Sequence, residues 1–367
     1  MTDRLIAKDL ISRITYGMIV LNGEPFISYN LQSLYPFAHQ IIVVEGATPS
    51  AAGVATKDGH SKDNTLNALR QFKNNEDYDD KLVIVTAETE GYSDGFWSEK
   101  DEMSQAYAKR ATGNYLWQID SDEFYKPNDI SSILNMLKKD PSISEVSFRT
   151  LTFWGGLKYK VDGVLLLLGD QDFHRLFMWR TGFRYLTHRP PTIVDKYGEN
   201  VINLHSISAE QLSKKGIFLY HYEYLFPNQV YNKAKYYANA PHCIGLRPDI
   251  NWVDNYYMNL NNPFRVHNIV RWRSWLEKYE GTHPPLVLKM IYDVLEGKFP
   301  EIKKRHTDDI DKLLNSKSYV LGIYLLKIVV PVLKIFNKLK LNFRSLSIRL
   351  KIWPFIQLLR GKKNTNK

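Results

Sequence analysis

The sequence predicts an α/β fold built on a mostly parallel sheet flanked by helices, and three stretches carry that prediction. Residues 14–21 are an apolar run long enough for one buried strand, and residues 40–46 are a second, rich in β-branched side chains. Residues 26–34 have helical spacing between them, so strand, helix and strand fall within about thirty residues, the βαβ pattern of a parallel pair. The third stretch, residues 113–125, opens as a short apolar strand and ends in Asp120-Ser121-Asp122-Glu123.

The other elements follow in order. Asn22-Gly23-Glu24-Pro25 breaks the first strand, and residues 47–57 read as an inserted loop. Asp58 to Thr65 leads into a helix marked by Leu66, Leu69 and Phe72. Residues 82–86 are a third strand, and a helix over 98–110 ends at Thr112-Gly113 and feeds the acidic strand. Residues 130–139 form an amphipathic helix, residues 143–153 alternate as a half-buried strand, and residues 216–224 form another strand. Aromatic-rich stretches such as 272–276 read as helices of an extension. The expected organisation is a catalytic α/β domain over 1–240, a helical extension over 241–311 and a basic amphipathic tail over 312–367.

The net charge of +10 suggests nucleic acid until it is located. Of 49 Lys and Arg, 13 fall in residues 312–367 with no Asp or Glu, leaving 36 basic and 39 acidic residues elsewhere. The body is close to neutral and the tail holds the excess. Cys243 is the only cysteine, so no intrachain disulfide forms, which suits a reducing compartment. Met1-Thr2-Asp3-Arg4 leads into no long apolar run, so no signal peptide is expected.

In extended chain, residues two apart share a face, so Asp120 and Asp122 are expected to point at one spot. Two carboxylates converging at a strand's C-terminal end repel unless a cation or substrate group offsets them. A hard divalent ion does this and keeps phosphate oxygens in its shell. Open α/β sheets bind ligands at this same edge. The bland alternative is a solvated loop followed by a helix cap.

These residues and their surroundings, over roughly residues 12–235, resemble the family 2-like glycosyltransferases of the GT-A fold. The resemblance implies a GT-A-like, Rossmann-like sheet and inverting transfer from a nucleotide-diphosphate sugar held by Mg2+ or Mn2+ on Asp120 and Asp122. It implies nucleotide-pocket positions for Asn22 and Glu24, a nucleoside contact for Glu45, a diphosphate-facing Lys100 and a third metal contact from His221. Asn22 equally fits a helix cap, Lys100 a solvated helix face, and His221 a core residue among aromatics. The family's D-G-x-S-x-D-x-T run stands at 58–65, displaced by the inserted loop, with Ser61, Asp63 and Thr65 read mainly as helix-start chemistry. A general base is expected among Asp172, Asp170 and Glu223 on the acceptor half. Trp154-Gly155-Gly156 either stacks on a sugar or turns the chain around a core Trp. The basic loop from Thr187 to Thr192 either contacts phosphate or turns the chain. Tyr231, Lys233 and Lys235 are placed to screen diphosphate.

The tail's uncharged run from Tyr319 stops at Lys327 and is broken again at Pro331, short of the ~20 apolar residues a spanning helix needs. Lys327, Lys334, Lys338, Arg344, Arg349 and Lys351 among Leu, Ile, Phe and Trp353 fit basic amphipathic helices in a membrane interface, the rival reading being a helix pair that binds another protein or nucleic acid. The expected partners are a nucleotide sugar, a glycan or lipid-linked acceptor of surface polysaccharide synthesis, and the membrane surface, with no nucleic acid. The expected location is cytoplasmic, peripheral on the inner face of the cell membrane. Nucleotidyl transfer would call for a Gly-rich basic loop after the first strand, which Leu21-Asn22-Gly23-Glu24 lacks. A non-catalytic carbohydrate-binding or scaffold protein on the same fold is the alternative from another class.

Overall fold

Around β1 (Ile14–Val20) the chain lays down α1 (Phe26–Leu34), β2 (Gln40–Glu45), α2 (Thr65–Asn75), β3 (Leu82–Val85) and α3 (Lys100–Ala108). β4 (Tyr115–Ile119), β5 (Glu123–Phe124), α4 (Pro127–Lys139), β6 (Glu145–Trp154), β7 (Tyr159–Gly163) and α5 (Val164–Leu168) follow. Next come β8 (Asp172–Met178), β9 (Arg184–Thr187), β10 (Thr192–Val194), β11 (Ser206–Ile207), α6 (Ala209–Ser213) and β12 (Leu219–Tyr224). The last are α7 (Pro227–Asn239), α8 (Ile250–Trp252), β13 (Ser274–Lys278), α9 (Pro285–Leu295), α10 (Asp308–Leu314) and α11 (Lys317–Lys338). The computed structural model describes residues 12–168, 172–240, 248–261, 263–267 and 272–338, with side chains to 332. Asp170, Cys243, Arg344, Arg349, Lys351 and Trp353 lie outside the described residues, as do the side chains of Lys334 and Lys338.

The chain divides into two compact units, and the division does not run in chain order. The first holds residues 1–150, 172–221 and 282–300; the second holds 151–171, 222–281 and 301–367. This division is interleaved, whereas the expected organisation runs in chain order with boundaries at 240 and 311.

In the first unit β3, β2, β1 and β4 are parallel neighbours, and β8 then β6 continue the sheet antiparallel. Strand alternation sends side chains to two cores. Tyr16, Met18, Val43, Trp117 and Ile119 face one, where α1, α2 and α4 cover them with Ile27, Leu31, Leu69, Phe72 and Ile133. Val44, Leu116 and Phe177 face the other, against Met103, Ala106 and Tyr107 of α3. Each such fully buried side chain contributes about 2 kcal/mol relative to exposure. Gly17 sits in the middle of β1 because a Cβ there would lie 2.5 Å from the Tyr107 ring.

In the second unit the end of β6, β7 and β13 form an antiparallel meander. Residues 274–278 are therefore a strand, correcting the helix expected around Trp272 to Leu276. Trp275 and Leu276 are both fully buried, one beside Tyr319 and the other beside Trp154 and Tyr257. Trp154 itself is fully buried, donates from Nε1 to Val266 O at 3.1 Å, and carries the Arg305 guanidinium over its ring. It is a core residue and is not available to stack on a sugar.

Candidate functional site

β1, β2 and β4 are parallel, so Val20, Glu45 and Ile119 end at one edge of the sheet. The acids after β4 emerge at that edge. Asp120, Ser121 and Asp122 form a tight turn closed by Glu123 N to Asp120 O at 3.0 Å, so they do not continue the strand as expected. Buried Asn30 on α1 grips this turn: its Nδ2 donates to Glu123 O at 2.6 Å, to Ser121 O at 3.1 Å and to Asp120 O at 3.4 Å.

β8 runs opposite to β4 and brings Arg175 to the same edge. Arg175 is buried and bidentate on Glu123, donating from Nε at 3.0 Å and from Nη2 at 2.6 Å. Its Nη2 also lies 3.5 Å from Asp120 Oδ2, and Arg189 Nη2 donates to the same oxygen at 3.2 Å. Burial pushes the Asp120 carboxyl up, but Arg175 and Arg189 outweigh it and hold it down at about 2.

Arg189 stands on the loop between β9 and β10, which α3 holds in place. Asp101 Oδ1 accepts from His188 N at 2.7 Å, and Ser104 Oγ lies 2.9 Å from His188 Nδ1. Burial first, then Arg189, depress the His188 pKa well below its usual value, and Lys100 and Arg175 add to this. His188 is thus neutral near pH 7. Lys100, Arg175 and Arg189 all act on His188, and of these Arg175 and Arg189 act on the Asp120 carboxylate.

β12 pairs with β5, placing His221 opposite Glu123. His221 Nε2 lies 3.5 Å from Asp122 Oδ1, and both side chains are nearly buried. That separation is close to the ~3 Å between adjacent ligands of a six-coordinate ion with bonds of about 2.1 Å. A carboxylate and an imidazole so placed fit a Mg2+ or Mn2+ ion. Among the described residues, no three His, Cys, Asp or Glu side chains stand close enough to hold a metal. Asp120, the third donor expected, is engaged by the two arginines instead.

Several expected residues serve the loops around this edge. Asn22, at a φ of 56°, donates from Nδ2 to Val54 O at 2.7 Å and accepts from Lys62 N at 2.7 Å. Glu24 is buried, and its backbone N–H donates to Asp63 Oδ2 at 3.0 Å. Asp63 Oδ1 accepts from Thr65 N at 3.0 Å, which is helix-start chemistry of the kind expected. Glu45 is fully buried: its Oε1 accepts from Ser61 N and Oγ at 2.8 Å, and its Oε2 accepts from His60 Nδ1 at 2.7 Å. It braces the run that follows the inserted loop, at His60 and Ser61. Gly59 in the 58–65 run has φ 78°, and a Cβ there would lie 2.1 Å from Gly95 O, so two loops touch backbone to backbone.

Asp172 opens β8, and alternation turns it from the face on which its neighbour Phe173 meets the His221 ring at 6.0 Å. Glu223 belongs to the second unit, buried, with Lys233 Nζ 3.8 Å from its Oε1. Tyr231, on the same helix as Lys233, donates to Asp254. Arg175 and Asn30 are the residues that sequence reasoning missed. An arginine inside the strand run Phe173-His174-Arg175-Leu176-Phe177 was the available signal, because a buried charge requires a partner.

An acidic turn at the C-terminal edge of parallel strands, with a histidine on one acid and basic side chains on the other, defines an α/β protein built to hold a charged ligand. The glycosyltransferase family 2 model matches residues 54–196, and the helix-flanked α/β sheet is the one that family implies. Among solved structures, S. aureus TarS is similar at 12% identity over 45% of this chain and 28% of that one, with a TM-score of 0.30. Glucosyl-3-phosphoglycerate synthase from Mycobacterium tuberculosis, in complex with Mn2+, UDP and glucosyl-3-phosphoglycerate, is similar at 18% identity over 39% of this chain and 45% of that one, with a TM-score of 0.28. The chain spans less than half the length of either protein. No curated protein matches it.

Proposed function

We propose that the protein transfers a sugar from a nucleotide-diphosphate sugar to a glycan or lipid-linked acceptor in surface polysaccharide synthesis, with Mg2+ or Mn2+ as cofactor and inversion at the anomeric carbon. The observation that carries this reading is the Asp122–His221 pair beside Asp120 at the ligand-binding edge of the sheet that the family 2 model matches in part. Asp122 and His221 would hold the ion, which when bound supplies positive charge to the diphosphate leaving group. Lys100, Arg175 and Arg189 add fixed and movable positive charge where that group departs. Asn30 and the Arg175–Glu123 pair keep the acidic turn in shape, so its reorganisation costs little during reaction. The acceptor hydroxyl gives its proton to a carboxylate. Asp172, Asp170 and Glu223 are the proposed bases.

A binding protein on the same fold is the second reading, favoured by the commitment of Asp120 to two arginines. Slow hydrolysis of common nucleotide sugars, measured with and without Mn2+ in wild type and Asp122→Ala, separates the two. Transfer predicts metal-dependent turnover that falls at least a hundredfold in Asp122→Ala. Absence of metal-dependent turnover with every donor would establish the binding reading.

A further inference from the structure

A helix on a protein surface ordinarily turns apolar side chains inward and polar ones outward, and one that is apolar all round is covered on every side. α11 breaks this rule. Its inner arc is committed within the second unit. Tyr319 OH accepts from Leu276 N at 2.8 Å and donates to Leu276 O at 3.1 Å, while Leu326 and Val330 pack in a cluster with Trp275 and Val164. Its outer arc carries Val320, Leu321, Tyr324, Leu325, Ile328 and Val332, each between 46 and 63% exposed. At 100° per residue these six occupy one continuous stripe. Lys327, the one charged residue between Val320 and Val332, pairs with Glu277.

Charge selects what covers the stripe. Residues 312–367 hold 13 basic and no acidic side chains, and eight of the basic ones follow residue 338. A second copy docked here would set that excess against its own like. A nucleic acid would meet the charge but leave the apolar stripe bare. A bilayer with anionic headgroups meets both. Among the described residues no single helix is long and apolar enough to cross a membrane. The pair Asp308–Leu314 and Lys317–Val332 passes on length and composition, but it is bent by 66° and opens with Asp308, Asp309 and Asp311. We propose that the outward stripe of α11 lies in the headgroup–acyl boundary of an anionic membrane, with the basic segment after it as electrostatic partner.

The test is flotation of the full-length protein with vesicles of phosphatidylcholine alone or mixed with phosphatidylglycerol. No sugar donor is added, so the result is independent of the proposed reaction. Wild type is expected to float with the mixed vesicles and to be released by salt. The triple variant Leu321→Glu, Leu325→Glu, Ile328→Glu is expected to partition at least tenfold less, with an unchanged circular dichroism spectrum because all three side chains point outward. If the triple variant does not fold, Leu325→Gln alone is expected to lose partitioning severalfold. Wild type that stays down with anionic vesicles overturns the proposal. So does a folded variant that floats like wild type, or a wild-type dimer that the variant disperses.

Discussion

Replacing Arg189 by Ala separates the two loads that the site places on one carboxylate. Asp120 sits at about 2 against an ordinary 3.8, so its surroundings favour the charged form by about 2 kcal/mol in total. Arg175 is buried and also held by Glu123, whereas Arg189 is 55% exposed and reaches Asp120 Oδ2 at 3.2 Å. Solvent reduces the Arg189 share to about 1 kcal/mol. A cation arriving at the acidic turn competes with that guanidinium, so Arg189→Ala is expected to bind Mn2+ alone about fivefold more tightly. A guanidinium released from Asp120 can turn to a diphosphate, where a charge-assisted hydrogen bond contributes ~1.5–3 kcal/mol. The same variant is therefore expected to bind UDP or GDP at least tenfold more weakly. Free Mn2+ is read by its electron paramagnetic resonance signal and nucleotide by calorimetry, with Asp122→Ala as the variant expected to lose the metal. Unchanged or weaker Mn2+ binding in Arg189→Ala refutes the competition, and unchanged nucleotide binding refutes the transfer of Arg189 to phosphate.

Arg175→Met leaves Glu123 buried without its bidentate partner and is expected to cost ~3–5 kcal/mol in urea unfolding, with a loss under about 1 kcal/mol showing that the pair is not structural. Asn30→Ala frees the acidic turn and is expected to cost about 1–3 kcal/mol and to weaken Mn2+ binding, whereas a stability loss with unchanged Mn2+ binding would make Asn30 a fold residue only. Glu277 is raised by burial but lowered further by Lys327 and Lys160, to about 2, so its contribution to stability is present above pH 4.5 and lost as pH falls toward 2. Glu277→Gln is accordingly expected to destabilise by about 1 kcal/mol at pH 7 and by nothing near pH 2, read from urea midpoints across that range.

The strand before Asp120 was legible because Tyr115 to Ile119 is a short run, apolar but for Gln118, that leads into acids, and the parallel half because its connections are local. Residues 274–278 were not, because β13 finds its partner β7 more than a hundred residues earlier and two tryptophans flanking Arg273-Ser274 give no clear period. The site divides the same way. Asp122 and His221 were readable as residue types at expected places, and the basic loop around Arg189 was visible as charge beside Pro190-Pro191. Glu45 stood at the expected position, yet the displaced 58–65 run supplies His60 and Ser61 as partners, and only folding shows which side of a strand end that run takes. The Arg175–Glu123 pair joins positions 52 apart, a separation that no local pattern encodes.

The interleaving of the two units bears on how the protein is made. When residue 150 has left the ribosome, β4 has β1 on one side and nothing on the other, because β8 begins at Asp172. The helix whose Asp293 accepts from Tyr29 at 2.6 Å emerges later still. The nascent chain therefore carries an unpaired central strand edge from the completion of β4 at Ile119 until β8 is complete at Met178, a state open to mispairing. No single cut, early stop or gene split yields either unit whole, so fragments offered for expression are expected to aggregate where the full chain folds.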